Sequence, residues 1–484
     1  MLSSNKKEFS TKNWKRINMR NVNNLLGVEF IHNLYNRHLP RINSIRFRNT
    51  VTVWEDGIVN SYAPQTEWDY LANWLGKKFF NLDKKLLIEI NNLLNFDRKF
   101  FNDFINYLKK LKLEKISNEN LGLTLIDLQD YVLGELYQVN LVQIEHALTS
   151  CIKKILNTKT KNADKIFSKL ICSSELTEAQ KEEIKFNKII DIGKKINCRH
   201  PKEDKHVFSL IKNHFELYSH MSCAYGELPY KIEFYINKYI NKYDSEIPKE
   251  KEYIEILKTK HEESLELIKK LNNKKLETLI PLMIKVGIFR DYNKAQLGQT
   301  MQYRLKILNI ISRRGLEKRH DLNYYLLSEI LSLLEDQKPL SKKLINQRKR
   351  HGIKLIRSEC LELNLDHRRE YQKSQQKILR GVCASQGFVR GKCKIIINKK
   401  DVNKIKAGDI MVAVGTDFDL IDAMQKSAAV ITEEGGLLSH ASVVCRELSK
   451  PCCIGVKDAT IKLRNGYSIT LDANNGIIKI DNKI

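Results

Sequence analysis

The chain has 484 residues, enough for two or three domains with sizeable cores. Its formal net charge of +26 suggests a nucleic-acid partner, yet residues 381–484 hold 15 Lys+Arg against 11 Asp+Glu and the remaining +22 is dispersed along residues 1–380. Dispersed charge of this kind raises encounter rates with acidic or phosphorylated molecules without naming one, so no nucleic-acid partner is expected.

Residues 1–14 are polar and basic, without the apolar h-region of a signal peptide, and nowhere do about 18 apolar residues run together. Ten cysteines are scattered without paired Cys-x-x-Cys ligand sets. Together these features predict a cytoplasmic protein with reduced, mostly buried thiols, no metal site and no membrane partner.

Residues 1–66 form a mixed N-terminal segment. Within it, Thr50-Val51-Thr52-Val53-Trp54 and Ile58-Val59-Asn60-Ser61-Tyr62 flank Glu55-Asp56-Gly57, the pattern of a small β-hairpin. Residues 67–358 read as a helical body. Apolar residues at spacings of three and four predict helices over Asp83–Leu94, Arg98–Leu111 and Leu121–Leu156, with start signals at Ser117 and Thr124. Further helices are expected over Glu178–Ile196, His206–Tyr218, Pro229–Ile240, Lys249–Leu271, Leu276–Val286 and Asp291–Ile311. Residues 359–379, with Asp366-His367-Arg368-Arg369-Glu370, are charged and irregular, as an exposed linker would be.

At residue 380 the texture changes. Short β-prone runs at Gly381–Ile397, Asp409–Val414, Ala428–Ile431, Cys452–Val456, Ser468–Asp472 and Ile477–Ile480 alternate with helical stretches at Ile421–Lys426 and Ala441–Leu448. The fold class predicted is therefore multidomain: a mainly α-helical N-terminal body, then a β/α domain over 380–484.

The chemistry concentrates in Thr432-Glu433-Glu434-Gly435-Gly436-Leu437-Leu438-Ser439-His440-Ala441. A buried strand runs into two glycines that free the backbone to turn, and Ser439 is placed to cap the helix that follows. His440 would stand in the first turn, where unpaired amides and the helix dipole favour an anion such as a phosphoryl group. An imidazole so presented can attack phosphorus and carry the phosphate covalently. The plainer alternative is a surface histidine at a helix start, but strand, glycine pair, cap and histidine agree on a site. Gly435, Gly436 and Ser439 are the phosphate-loop candidates. Arg446, six residues on, faces substantially away from His440 and suits packing or docking.

This segment resembles the mobile, phosphohistidine-carrying swivelling domain of the phosphoenolpyruvate-utilising enzymes, which include phosphoenolpyruvate synthase, pyruvate phosphate dikinase and rifampin phosphotransferase. The family pattern of Thr, two residues, Gly-Gly, two residues, Ser or Cys, His, Ala is met from Thr432 to Ala441, and Gly381, Ala384, Ser385, Gly387 and Gly391 match its entry motif. The resemblance implies that His440 is phosphorylated. Leu438 departs from the dikinases and synthases, which carry threonine there, and Asp417-Phe418 replaces the Ser-Pro or x-Pro pair usual after Thr416. Looser matches lie in the helical body: His214 with Tyr218, Arg290-Asp291 with Lys294, Arg313 and Gly315, and Arg348 before the linker. Arg290, Arg313 and Arg348 are the candidates for binding an acceptor or a partner, with a solvated helix-surface charge the equal alternative.

No Gly-x-x-x-x-Gly-Lys-Ser/Thr loop occurs, and the helical body has the wrong texture for the family's ATP-grasp domain. The expectation is a phosphotransferase component of a split enzyme. It would hold no tightly bound cofactor and take phosphate from a separate ATP-grasp protein with ATP and Mg, or from phosphoenolpyruvate, for a small-molecule acceptor. The alternative is a non-catalytic phosphohistidine carrier or regulatory docking protein.

Overall fold

The computed structural model describes residues 14–22, 24–36, 50–55, 58–131, 141–223, 229–247, 250–356, 359–362, 378–396, 399–416, 420–433, 435, 439–456 and 459–482. A mainly helical N-terminal body precedes a C-terminal β/α domain. In chain order the helices of the body are α1 (Leu25–Asn36), α2 (Gln65–Phe80), α3 (Lys84–Lys110), α4 (Asn118–Ile126), α5 (Leu141–Asn157), α6 (Ala163–Leu170) and α7 (Glu178–Lys195). They continue with α8 (Lys205–Tyr218), α9 (Ile232–Tyr243), α10 (Glu250–Leu271), α11 (Lys274–Arg313), α12 (Leu327–Asp336) and α13 (Lys342–His351). The chain divides into two units, Met1–Ala147 with Cys223–Leu228 and Gln296–Asp366, and Leu148–Ser222 with Pro229–Ala295 and His367–Ile484. No helix among the described residues is long and apolar enough to cross a membrane.

The first unit contains an antiparallel sheet of β1 (Trp14–Asn21), β2 (Val51–Glu55), β3 (Ile58–Pro64), β4 (Ile353–Ile356) and β5 (Glu359–Glu362), ordered β1-β3-β2-β4-β5. The hairpin expected from the sequence is β2–β3, with Glu55 opposite Ile58. β4 pairs with β2, so residues read as the end of the helical body join the N-terminal segment, and β5 occupies the start of the stretch read as a linker. Trp54 anchors this sheet: it is buried, and its indole N–H donates to the Val22 carbonyl at 2.8 Å.

Several expected helix boundaries move, for identifiable reasons. α3 runs unbroken through Asn95-Phe96-Asp97, because none of these is a strong breaker and Leu93, Leu94 and Phe101 are buried on either side. α4 is capped by Ser117, whose Oγ accepts from Asn120 N, and passes into a π-turn over Asp127–Tyr131. α11 is a single 40-residue helix through Pro281 and Gly287. A helical glycine costs about 1 kcal/mol relative to alanine, but burial of Val286, Ile288 and Phe289 around it offsets that several times over.

In the second unit, α7 begins with a capping box, Thr177 and Gln180 exchanging side-chain bonds with each other's amides. Buried Glu182 on this helix accepts from His214 Nε2 at 2.8 Å and from Lys238 at 2.9 Å, tying α7, α8 and α9 together. The His214 ring lies 4.7 Å from that of Tyr218. Among the described residues the β/α domain has eight strands: β6 (Ile378–Arg380), β7 (Val382–Ser385), β8 (Phe388–Ile396), β9 (Ile410–Ala413), β10 (Ala429–Thr432), β11 (Cys452–Ile454), β12 (Ser468–Asp472) and β13 (Ile477–Asn482). Their order is β6-β13-β12-β8-β9-β10-β11-β7, with β8, β9, β10 and β11 parallel at the centre. Its helices are α14 (Ile421–Lys426), α15 (His440–Glu447) and α16 (Ala459–Lys462). Ile410, Val412, Ile431, Ile469, Leu471 and Ile478 form the core. Gly391 is required here, because a Cβ on it would lie 2.4 Å from the Gly408 carbonyl.

Candidate functional site

The candidate site lies beyond the carboxyl ends of two parallel neighbours, β9 and β10, the edge at which open α/β sheets bind ligands. β10 is apolar and fully buried, which fixes where its loop emerges. That loop is tied back at several points. Glu433 N donates to the Ala413 carbonyl at 3.0 Å, Val456 N donates to the Thr432 carbonyl at 2.9 Å, and the Glu433 carboxylate accepts from Thr460 N at 2.6 Å. Gly435 has φ +128°, and a Cβ there would sit 2.8 Å from Ser439 Oγ, so only glycine fits both the conformation and the space. Gly436 lies outside the described residues, as do Leu438, Asp417-Phe418 and the charged stretch 363–377.

Ser439 takes the N-cap position with extended backbone, and its carbonyl accepts from Val443 N at 2.9 Å. Its hydroxyl does not cap. It bonds instead to Ser442 Oγ at 3.1 Å, which leaves the amides of the first helical turn directed past it. His440 is the first residue of α15, as the sequence predicts. Its Nδ1 lies 3.0 Å from Thr416 Oγ1, in the loop after β9. The residue is half-buried, and its Nε2 is shielded from solvent.

Burial, reinforced by the charge of Lys294 on α11, brings the His440 pKa down to about 3. The imidazole is therefore neutral at physiological pH. Because the native value lies below that of free imidazole, about 6.5, protonation opposes this arrangement. The stability it contributes is complete above pH ~6.5 and is lost as pH falls toward 3. Ring-labelled histidine NMR should find His440 neutral down to pH ~4. Lys294→Met should raise its midpoint while leaving it below the free value, since burial, the larger cause, remains. A wild-type midpoint near 6.5 would contradict this environment.

Of the three arginine candidates, Arg290 is half-buried on α11, four residues before Lys294 and so on the same face. Between them Asp291 Oδ2 accepts from Glu178 N at 2.6 Å, joining α11 to the start of α7. Arg313 and Arg348 belong to the first unit. Arg313 meets Glu114 at 2.5 Å on the surface, and buried Arg348 grips Glu329 with both terminal nitrogens, at 2.6 and 2.8 Å. Arg446 Nε donates to the Ser442 carbonyl of its own helix at 3.0 Å. Two residues of the site were not site candidates from the sequence: Thr416, noted only as the start of a loop, and Lys294, noted only within the Arg290-Asp291 match. Strand order would have pointed to the first, since parallel β9 and β10 bring the loops after them together. The second shares a helix face with Arg290.

Residues 405–476 match the family model described as PEP-utilising enzyme, mobile domain. The C-terminal part is 40% identical over 109 residues to phosphoenolpyruvate synthase from Pyrococcus furiosus, covering 22% of this chain and 13% of that protein. It is 42% identical over 101 residues to a probable phosphoenolpyruvate synthase from Archaeoglobus fulgidus, covering 21% and 13%. It is also 37% identical over 99 residues to pyruvate kinase 2 from a Synechocystis strain, covering 20% and 17%. The chain thus spans roughly an eighth to a sixth of the length of these relatives.

Proposed function

We propose that this chain, whose residues 405–476 match the mobile domain of the phosphoenolpyruvate-utilising enzymes, is the phosphoryl-relaying component of a split phosphotransferase. His440 accepts phosphate from a separate ATP-grasp protein bearing ATP and Mg, or from phosphoenolpyruvate, and hands it to a small-molecule acceptor. The observation that carries this reading is the pairing of His440 Nδ1 with Thr416 Oγ1 at the first residue of α15. With Nδ1–H donating to that hydroxyl, the lone pair lies on Nε2. Attack by Nε2 forms the N–P bond as the donor's P–O bond breaks; in the second step an acceptor hydroxyl oxygen takes the phosphorus and releases its proton while the N–P electron pair returns to Nε2.

Such transfer depends on alignment and on neutralising the phosphoryl oxygens. Amides at the start of α15 and near Gly435 and Gly436, with the ammonium of Lys294, are the groups offered for that purpose, and Arg290 is offered to the acceptor side. Metal accompanying the nucleotide belongs to the partner in this reading, and no residue of this chain is assigned to it.

The test is the intact mass of the purified protein after incubation with phosphoenolpyruvate and magnesium, and in parallel with ATP, magnesium and an ATP-grasp protein shown to bind nucleotide. One acid-labile phosphate per chain is expected under one of the two conditions. An adduct that forms and is then depleted by an added acceptor distinguishes the transferase from a non-catalytic carrier. No adduct under either condition would sink the relay.

A further inference from the structure

α15 carries His440 at its first residue and Glu447 at its last, eight residues that span about 12 Å. At the histidine end the charge of Lys294 on α11 acts on the imidazole. At the other end the Tyr253 hydroxyl of α10 donates to Glu447 Oε1 at 2.9 Å. Burial and the adjacent carboxylate push the Tyr253 phenol up, which keeps it a donor. Lys242 of α9 also lies within reach of the Glu447 charge.

We infer that the Tyr253–Glu447 bond is a clamp that positions His440: it holds α15 against the helices of its own unit in the pose where Nε2 is shielded from solvent. Tyr253 and Glu447 are positioning residues, since neither touches the imidazole. Two physical points support the inference. Glu447 is exposed on its own helix, whereas Tyr253 is half-buried and directs its hydroxyl to that carboxylate. In addition, a hydrogen bond to a carboxylate at the far end of a short rigid helix restrains rotation about the near end, so its loss is felt at His440. The inference rests on the proposed relay for its purpose, but its test does not require phosphorylation.

Diethyl pyrocarbonate ethoxycarbonylates neutral imidazole: a ring nitrogen attacks a carbonyl carbon, the N–C bond forms, and ethyl carbonate leaves as carbon dioxide and ethanol. Site-resolved peptide mass spectrometry of the full chain would give the rate at His440 with exposed His206 as internal reference. The wild-type His440 is expected to react at least about tenfold more slowly than His206. Tyr253→Phe and Glu447→Ala should each raise the His440 rate several-fold, up to about tenfold, and leave His206 unchanged. The double variant should be no faster than the faster single one, because both remove the same bond. Equal His440 rates in wild type and both variants, with unchanged thermal midpoints, would overturn the clamp, as would a wild-type His440 as reactive as His206. Failure of the clamp leaves the mass test of the relay untouched, and a failed relay leaves this result standing.

Discussion

His440→Ala is expected to abolish the acid-labile adduct, not to reduce it, a loss of at least about 10³-fold in the rate of phosphate uptake. The imidazole stands among hydroxyls: Thr416 Oγ1 bonds to its Nδ1, and Ser439 and Ser442 bond to each other one turn into the same helix. These are the groups a donor would meet in its absence. Any phosphate they accepted would be an acid-stable ester, distinguishable by acid treatment before mass measurement. Thr416→Val tests the tautomer argument separately. It preserves shape but removes the partner of Nδ1, so the lone pair is no longer directed to Nε2. Loading should slow by about tenfold while the fold persists, the worth of one neutral hydrogen bond at the reacting group. Acid-labile phosphate on the alanine variant would place the nucleophile elsewhere. Full-speed loading of the valine variant would show that Thr416 does not set the ring.

The strand–loop–helix unit that carries His440 is legible in the sequence because its determinants are local. The apolar run Ala428–Ile431, a glycine, a serine at the N-cap position and the histidine lie close together in the chain, and each acts on its immediate neighbours. Thr416 is a different matter: it reaches the histidine through strand order, which no short pattern encodes, and Lys294, though part of the match with Arg290-Asp291, is not placed near the histidine by that pattern. The same distinction accounts for the body. The β2–β3 hairpin is readable from its own turn, but β4, Ile353–Ile356, joins β2 some 300 residues away, and four residues carry too little pattern to announce it. Gly287 reads as a break in α11 only while the burial of Val286, Ile288 and Phe289 is unknown. Charged positions are least legible of all. An arginine's sequence neighbours do not disclose which carboxylate it faces, and Arg290, Arg313 and Arg348 stand in three different surroundings.

Those surroundings make opposite predictions for two of the arginines. Arg348→Ala should destabilise the first unit by about 3 kcal/mol, in the range for breaking a buried ion pair from one side. Its guanidinium holds Glu329 at 2.6 and 2.8 Å and donates to the Tyr324 carbonyl at 2.7 Å, and Glu329 in turn accepts from Leu326 N at the start of α12. Removing it leaves a carboxylate and a carbonyl without their partner inside the fold. Arg313→Ala should cost no more than about 1 kcal/mol, because its pair with Glu114 is solvent-exposed on both sides, at 63% and 61%. All four tryptophans, Trp14, Trp54, Trp68 and Trp74, belong to the first unit, so their fluorescence during urea unfolding reports on that unit alone. A clear fall in midpoint for Arg348→Ala, with little change for Arg313→Ala, would identify Arg348 as a structural tie between α12 and α13. An unmoved midpoint for Arg348→Ala, together with slower depletion of phosphohistidine by an acceptor, would instead give that arginine to the anion.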